Sequence, residues 1–180
     1  MNRKIAATLT TLAASAVAIT GVVAASPAAN AEAAQSAPQK RTTIAFSART
    51  DHILTGLHVK TSPTGNATLT VKASQPSALG LPVLRQGPHR VVTSGGVRFR
   101  TADANLVFGH WGFNTTNRDV NAVINKSARA TFFKLKRMPN RPAGTYKVVF
   151  NNIGAGNFNT ILDTQSFHVG DTFGVVRLPS

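Results

Sequence analysis

Hydrophobic and polar residues alternate over short runs along most of the chain after residue 41. In "NATLTVKAS", Ala67, Leu69 and Val71 fall on one side, and Thr68, Thr70 and Lys72 on the other. In "GGVRFRT", Val97 and Phe99 oppose Arg98 and Arg100, and in "TYKVVF", Tyr146, Val148 and Phe150 oppose Lys147. A period of two predicts half-buried β-strands. Between the runs stand turn-forming pieces: "SPTGN", "RQGP", "SGG", "NTTN", "MPNRPAG" and "NNIGAGN". Regular short strands with such punctuation predict an all-β fold, an antiparallel β-sandwich, with an open barrel as the alternative. Helical spacing is confined to "RTDHILTGLHV". Ile53, Leu54 and Leu57, with His58, share a side there, and Thr50 or Asp51 can serve as N-cap. One short helix near residues 51–58 is therefore expected, weakened by Gly56. "NTILDTQSFHVGDTFGVV" fits either a helical turn or a last pair of strands.

The stretch Ser127–Arg137, "SARATFFKLKR", sets two phenylalanines among cations. As a strand it points Phe133 and Leu135 inward, and Phe132, Lys134 and Lys136 outward. A membrane-surface helix needs a wide apolar stripe at helical spacing, which Phe132, Phe133, Leu135 and Met138 do not make. Lysine on the outer face of a strand also discourages edge-to-edge pairing.

The N-terminus departs from this pattern. Arg3 and Lys4 precede an uncharged, Ala/Thr-rich run from Ile5 to Ala25, and Pro27 and Ala29-Asn30-Ala31 come after it. That is the layout of a secretory signal peptide cleaved near Ala31. It predicts three segments: residues 1–31 as signal peptide, 32–41 as a flexible leader and 42–180 as a single β-domain. Localisation is then secreted, in a bacterial setting given the Ala-rich signal peptide. The full chain has 20 Lys+Arg against 6 Asp+Glu, a formal charge of +14. Removing residues 1–31 takes away two cations and no acid.

Charge changes the picture most. No acid occurs between Asp119 and Asp163, while Lys126, Arg129, Lys134, Lys136, Arg137, Arg141 and Lys147 all do. Such an excess creates a positive field that attracts polyanions. Arg98, Arg100, Lys134, Lys136 and Arg137 are the candidate contacts to anionic envelope polymers or an anionic lipid surface. Nucleic acid is not favoured, because stacking aromatics and a groove-reading helix are missing from the pattern.

Catalytic signatures are thin. The chain has no cysteine, which excludes thiol catalysis, Cys-type zinc sites and iron–sulfur chemistry. His52, His58, His89, His110 and His168 have no metal-ligand spacing. Asp51, Asp103, Asp119, Asp163 and Asp171 are scattered, and the one glutamate, Glu32, lies in the leader. No GxSxG context surrounds a serine. The expectation is a non-enzymatic protein with no catalytic, cofactor or metal residue. A hydrolase acting on envelope material is the alternative that His168 with Asp171, or His52 with Asp51, would serve if either pair met in a cleft. Trp111, in "FGHWGFN", is expected in the core on one face with Val107 and Phe113, with Phe108 and His110 opposite.

The order "VVTSGGVRFR", "NLVFGHWGFNTTNRDVNAVIN", "ATFFKLK" and "GDTFGV" resembles small secreted actinobacterial proteins related to the HtaA haem-transport domain. The likeness spans about Asp51 to Val175 and implies an exported all-β domain. It also implies, as an alternative function, a small-ligand carrier of haem type. Haem-binding members are expected to use a tyrosine supported by a histidine. The single tyrosine, Tyr146, sits in an ordinary strand pattern, so no haem residue is assigned.

Overall fold

A computed structural model describes residues 39–73 and 75–179, all within the unit Ser36–Ser180. The expected signal peptide and most of the expected leader lie outside the described residues. In chain order the elements are β1 (Arg41–Phe46), α1 (Ala48–Gly56), β2 (Lys60–Thr64), β3 (Thr68–Lys72), β4 (Gln75–Gln86), β5 (Arg90–Thr93) and β6 (Gly96–Arg100). After them come β7 (Asn105–Asn114), β8 (Asp119–Ile124), β9 (Ala128–Arg137), β10 (Thr145–Phe150), α2 (Asn152–Ile161) and β11 (Thr172–Arg177).

The fold is all-β and antiparallel. β1, β4, β5, β7, β8, β9, β10 and β11 pair in a ring that closes through β7–β8, giving an eight-stranded barrel. β5 and β6 succeed each other along one edge of β7, with Arg90 opposite Asn114 and Arg100 opposite Asn105. Only β5 continues the ring to β4; β6 carries β2 instead. The wall therefore closes at one end and splays at the other, where β3 also hangs on β4 alone.

Side chains fill the interior. Trp111, Phe99, Phe108, Phe113, Phe133, Phe150 and Phe173 are fully buried. Trp111 stacks on Phe133 at 5.7 Å between ring centroids, and Phe133 lies 4.8 Å from Phe173. Edge-to-face and offset contacts of this kind add to the area they bury. The strand faces read from "GGVRFRT" hold: Val97 and Phe99 are buried and Arg98 and Arg100 exposed.

Two phase slips separate structure from pattern. Phe108 and Trp111 are both buried, because the β7–β8 register shifts between Gly109 and Gly112. A bulge adds one residue to one strand and turns every later side chain to the other face. Here His110 takes the slack with φ 49°. The second slip lies in β9, where Val120 faces Phe133 but Asn121 faces Thr131. Phe132 is the extra residue. It is buried, 5.0 Å from Phe108, and not outward as alternation predicts. Val71 also differs: it is exposed, since β3 is an edge strand without a second layer over it.

α1 is the expected short helix, starting earlier than its apolar spacing suggests. Ser47 is the N-cap and accepts from the Thr50 N–H at 3.1 Å. Leu54 is its buried anchor, and His58 has already left the helix with φ 52°. α2 begins inside "NNIGAGN", which the sequence marks as a turn, and runs on to Ile161. Asn151 caps it, accepting from the Gly154 N–H at 2.8 Å while its own amide donates to the Thr131 carbonyl at 2.9 Å. That double use ties the helix start to β9. Phe158 then enters the core, stacked on Phe108 at 5.4 Å. Among the described residues, no helix is long and apolar enough to cross a membrane.

Candidate functional site: a basic barrel end

Antiparallel pairing brings cations from distant parts of the chain to the closed end of the barrel. On β9 and β10, Lys136 stands directly opposite Lys147 and Arg137 opposite Tyr146. On the next pair, Arg177 of β11 stands opposite Thr145 of β10 and Thr43 of β1. Arg41 is two residues from Thr43 on the same strand face, and Arg141 sits in the β9–β10 connection. All six cations are exposed. Among the described residues, no carboxylate lies in the β9–β10 connection or on the β10 and β11 strand ends that carry them. A hollow of about 590 Å³ lined by Arg137, Arg141, Thr145 and Tyr146, with prolines 139 and 142, opens on the same end.

The cause of this arrangement is the strand order β9-β10-β11-β1. "FKLKR" supplies Lys136 and Arg137, and Lys147 stands in the next strand. Arg177 and Arg41 come from the two ends of the domain and join only because β11 bridges β10 and β1. Like charges directly opposite on a sheet are destabilising. The Lys136–Lys147 pair is therefore held at a cost to the sheet.

The five sequence candidates separate. Lys136 and Arg137 belong to this cluster. Lys134 is ion-paired with Asp119, the residue opposite it on β8, and is largely neutralised. Arg98 and Arg100 lie on β6, with β7 and β8 between them and β9. They also lie at the splayed end: Arg98 is level with Val107, while Lys134 is level, through Asp119, with Asn114. At about 3.3 Å per residue that is roughly 20 Å along β7, beyond the ~8 Å over which exposed charges act in physiological salt. Arg100 faces Lys60 of β2, and Asp103 shares a small hollow with Arg98 and Arg100.

The His–Asp pairs considered for hydrolysis have separate settings. His168 Nδ1 is 3.5 Å from Asp171 Oδ2, but its side chain is mostly exposed. The same carboxylate oxygen accepts from the His168 backbone N–H at 3.0 Å and from Arg49 Nε at 3.2 Å. Burial pushes the Asp171 carboxyl up, yet the His168 N–H and the Arg49 charge together hold it below the usual range. Asp171 thus locks the turn before β11 onto α1. Asp51 moves the other way: burial raises it, partly offset by the His52 charge. Among the described residues, no three His, Cys, Asp or Glu side chains are grouped as a metal site.

The fold and this end define an all-β barrel with a packed interior and a cationic rim. No protein-family model matches the chain, and no curated protein does. Among solved structures, the C-terminal domain of HtaA from Corynebacterium glutamicum is similar, with a TM-score of 0.47 and 9% identity over 77% of this chain and 94% of that one. It is a weak structural resemblance.

Proposed function

We propose that this is an exported, non-enzymatic binding protein of the bacterial envelope that holds anionic polymers on the closed end of its barrel. The observation that carries the reading is the opposed Lys136–Lys147 pair, with Arg137, Arg141, Arg177 and Arg41 on the strand ends and connection of the same barrel end and no acid among them. A repeating polyanion neutralises such a set without needing a shaped pocket, and guanidinium groups suit phosphate and carboxylate oxygens. The signal-peptide pattern of residues 1–31 supports export, where wall polymers and anionic lipid headgroups are the available polyanions. The packed aromatic interior favours binding at the rim over carriage of a ligand inside the barrel.

Retention on immobilised heparin or a phosphate-repeat wall polymer tests the reading. Binding should be tight at low salt and fall steeply as salt rises, and replacing Lys136 and Lys147 by Gln should move elution to clearly lower salt. Weak retention that is indifferent to those two replacements would sink it.

A further inference from the structure

A second cationic feature lies at the other end of the molecule and is of a different kind. It is a groove of about 740 Å³ between the β2–β3 turn and the β7–β8 hairpin, within the size range of small-ligand sites. Its floor is the register row that sets Gly109 opposite Val123, together with Val107, which stands opposite Arg98. Gly109 leaves this floor without a side chain. An added Cβ there would meet nothing closer than the Gly95 carbonyl at 3.8 Å, so the space is open and not filled by a neighbour. The β7 bulge turns His110 out into the groove lining, anchored by its N–H on the Gly95 carbonyl at 3.0 Å.

The polar lining is one-signed. Arg98 and Lys126 flank the groove with His110, and no acid is in its lining. Neither the Arg98 nor the Lys126 side chain has an ion-pair or hydrogen-bond partner among the described residues. The wall also holds Ser94, whose Oγ is buried and lacks a hydrogen-bond partner. Buried hydroxyls are rarely left so. Pro63, Val107 and Val123 give the rest of the lining an apolar character. Two of the cationic or ionisable residues, His110 and Lys126, hold positive φ angles of 49° and 63°. The bulge of β7 sets the first of these and the β8–β9 turn the second, so both side chains are held in place by the backbone that carries them.

We infer that this groove binds a small molecule with a phosphate monoester head and a short apolar body. The doubly charged head lies between Arg98 and Lys126 within reach of His110, and the body lies on Val107 and Val123 over Gly109. Two cations match a dianion better than a carboxylate, and a guanidinium offers it paired donors. This site is independent of the polymer-binding end, so either can fail without the other.

The test is an amide chemical-shift titration of the processed protein with hexyl phosphate, against hexanoate, hexanol and inorganic phosphate. Hexyl phosphate should give saturable shifts confined to residues around Gly95, Gly109, His110 and Lys126. Its affinity should be at least tenfold above those of hexanoate and inorganic phosphate, with no response to hexanol. Gly109→Val should abolish these shifts by filling the floor, and Arg98→Gln with Lys126→Gln should weaken binding at least tenfold. Heparin retention of Gly109→Val should equal that of the parent. The inference is overturned if hexyl phosphate gives no localised shifts, if hexanol matches it, or if binding survives both the filled and the neutralised groove.

Discussion

Lys126 shows how single residues carry more than pattern can assign. In the three-residue connection between β8 and β9 it is the second central residue of the β-turn Ile124–Ser127, after Asn125, with positive φ at both positions and the Ser127 N–H donating to the Ile124 carbonyl at 2.9 Å. Asn then Gly is the favoured pair in such a turn. Lysine there is strained, so Lys126→Gly should stabilise the fold by about 1 kcal/mol in denaturant unfolding while weakening hexyl phosphate binding. A loss of stability would show that the turn is not strained. The Lys136–Lys147 pair predicts the same opposition at the other end. Lys147→Thr should raise the unfolding midpoint slightly and lower the salt needed for elution from heparin. At this scale the sequence is legible wherever alternation is unbroken: Arg98, Arg100 and Lys136 point outward as their pattern demands, while Arg137, in phase with Leu135, is exposed because the strand ends there. It is illegible at His110 and Phe132, because a bulge is set by the partner strand's register, and nothing local to "GHW" or "TFF" announces it.

Helix α2 is the element that sequence reading catches least: its last residues fall where a helical turn is one alternative, but its start reads as a turn. Its Asn- and Gly-rich start has poor intrinsic propensity, and tertiary packing supplies what propensity does not. Gly154 allows the approach to β9: a Cβ there would come within 2.0 Å of the Phe132 carbonyl oxygen. Gly156 faces open space. Gly154→Ala should therefore destabilise the domain by more than about 2 kcal/mol, on the order of other overpacking changes, whereas Gly156→Ala should stabilise it by about 0.5–1 kcal/mol. Equal effects in thermal unfolding would contradict the close approach. α1 is half legible: its apolar spacing marks Leu54, but its cap, Ser47, lies before Thr50 and outside the periodic stretch. The turn that Asp171 locks has a pH signature. Its carboxyl is held below the ordinary value, so the charged form stabilises the fold above the unfolded-state pKa of about 4 and that gain is lost as pH falls through the lower folded value. Asp171→Asn should lower the melting temperature at pH 7, and the gap to the parent should narrow in acid as pH falls below the ordinary carboxylate range and through the lowered folded value. A gap that persists there would mean that packing, not charge, makes the lock.

For the whole molecule, strand order decides what net charge alone leaves open. The excess of cations is visible in the sequence, and so is the basic interval from Lys126 to Lys147. Which of those cations meet is not visible, because Arg41 and Arg177 stand at opposite ends of the domain sequence and join through β1–β11 pairing. The same order removes Lys134 from the set by placing Asp119 opposite it, and sends Arg98 and Arg100 to the far end. Total charge treats all these residues alike; position does not. The most direct test removes three cations from either end, leaving the two variants equal in net charge. One carries Lys136→Gln, Arg137→Gln and Lys147→Gln; the other carries Arg98→Gln, Arg100→Gln and Arg129→Gln. Polymer binding at the closed end predicts that the first elutes from heparin at much lower salt than the parent, while the second elutes close to it. Equal shifts in the two variants, or a larger shift in the second, would contradict it.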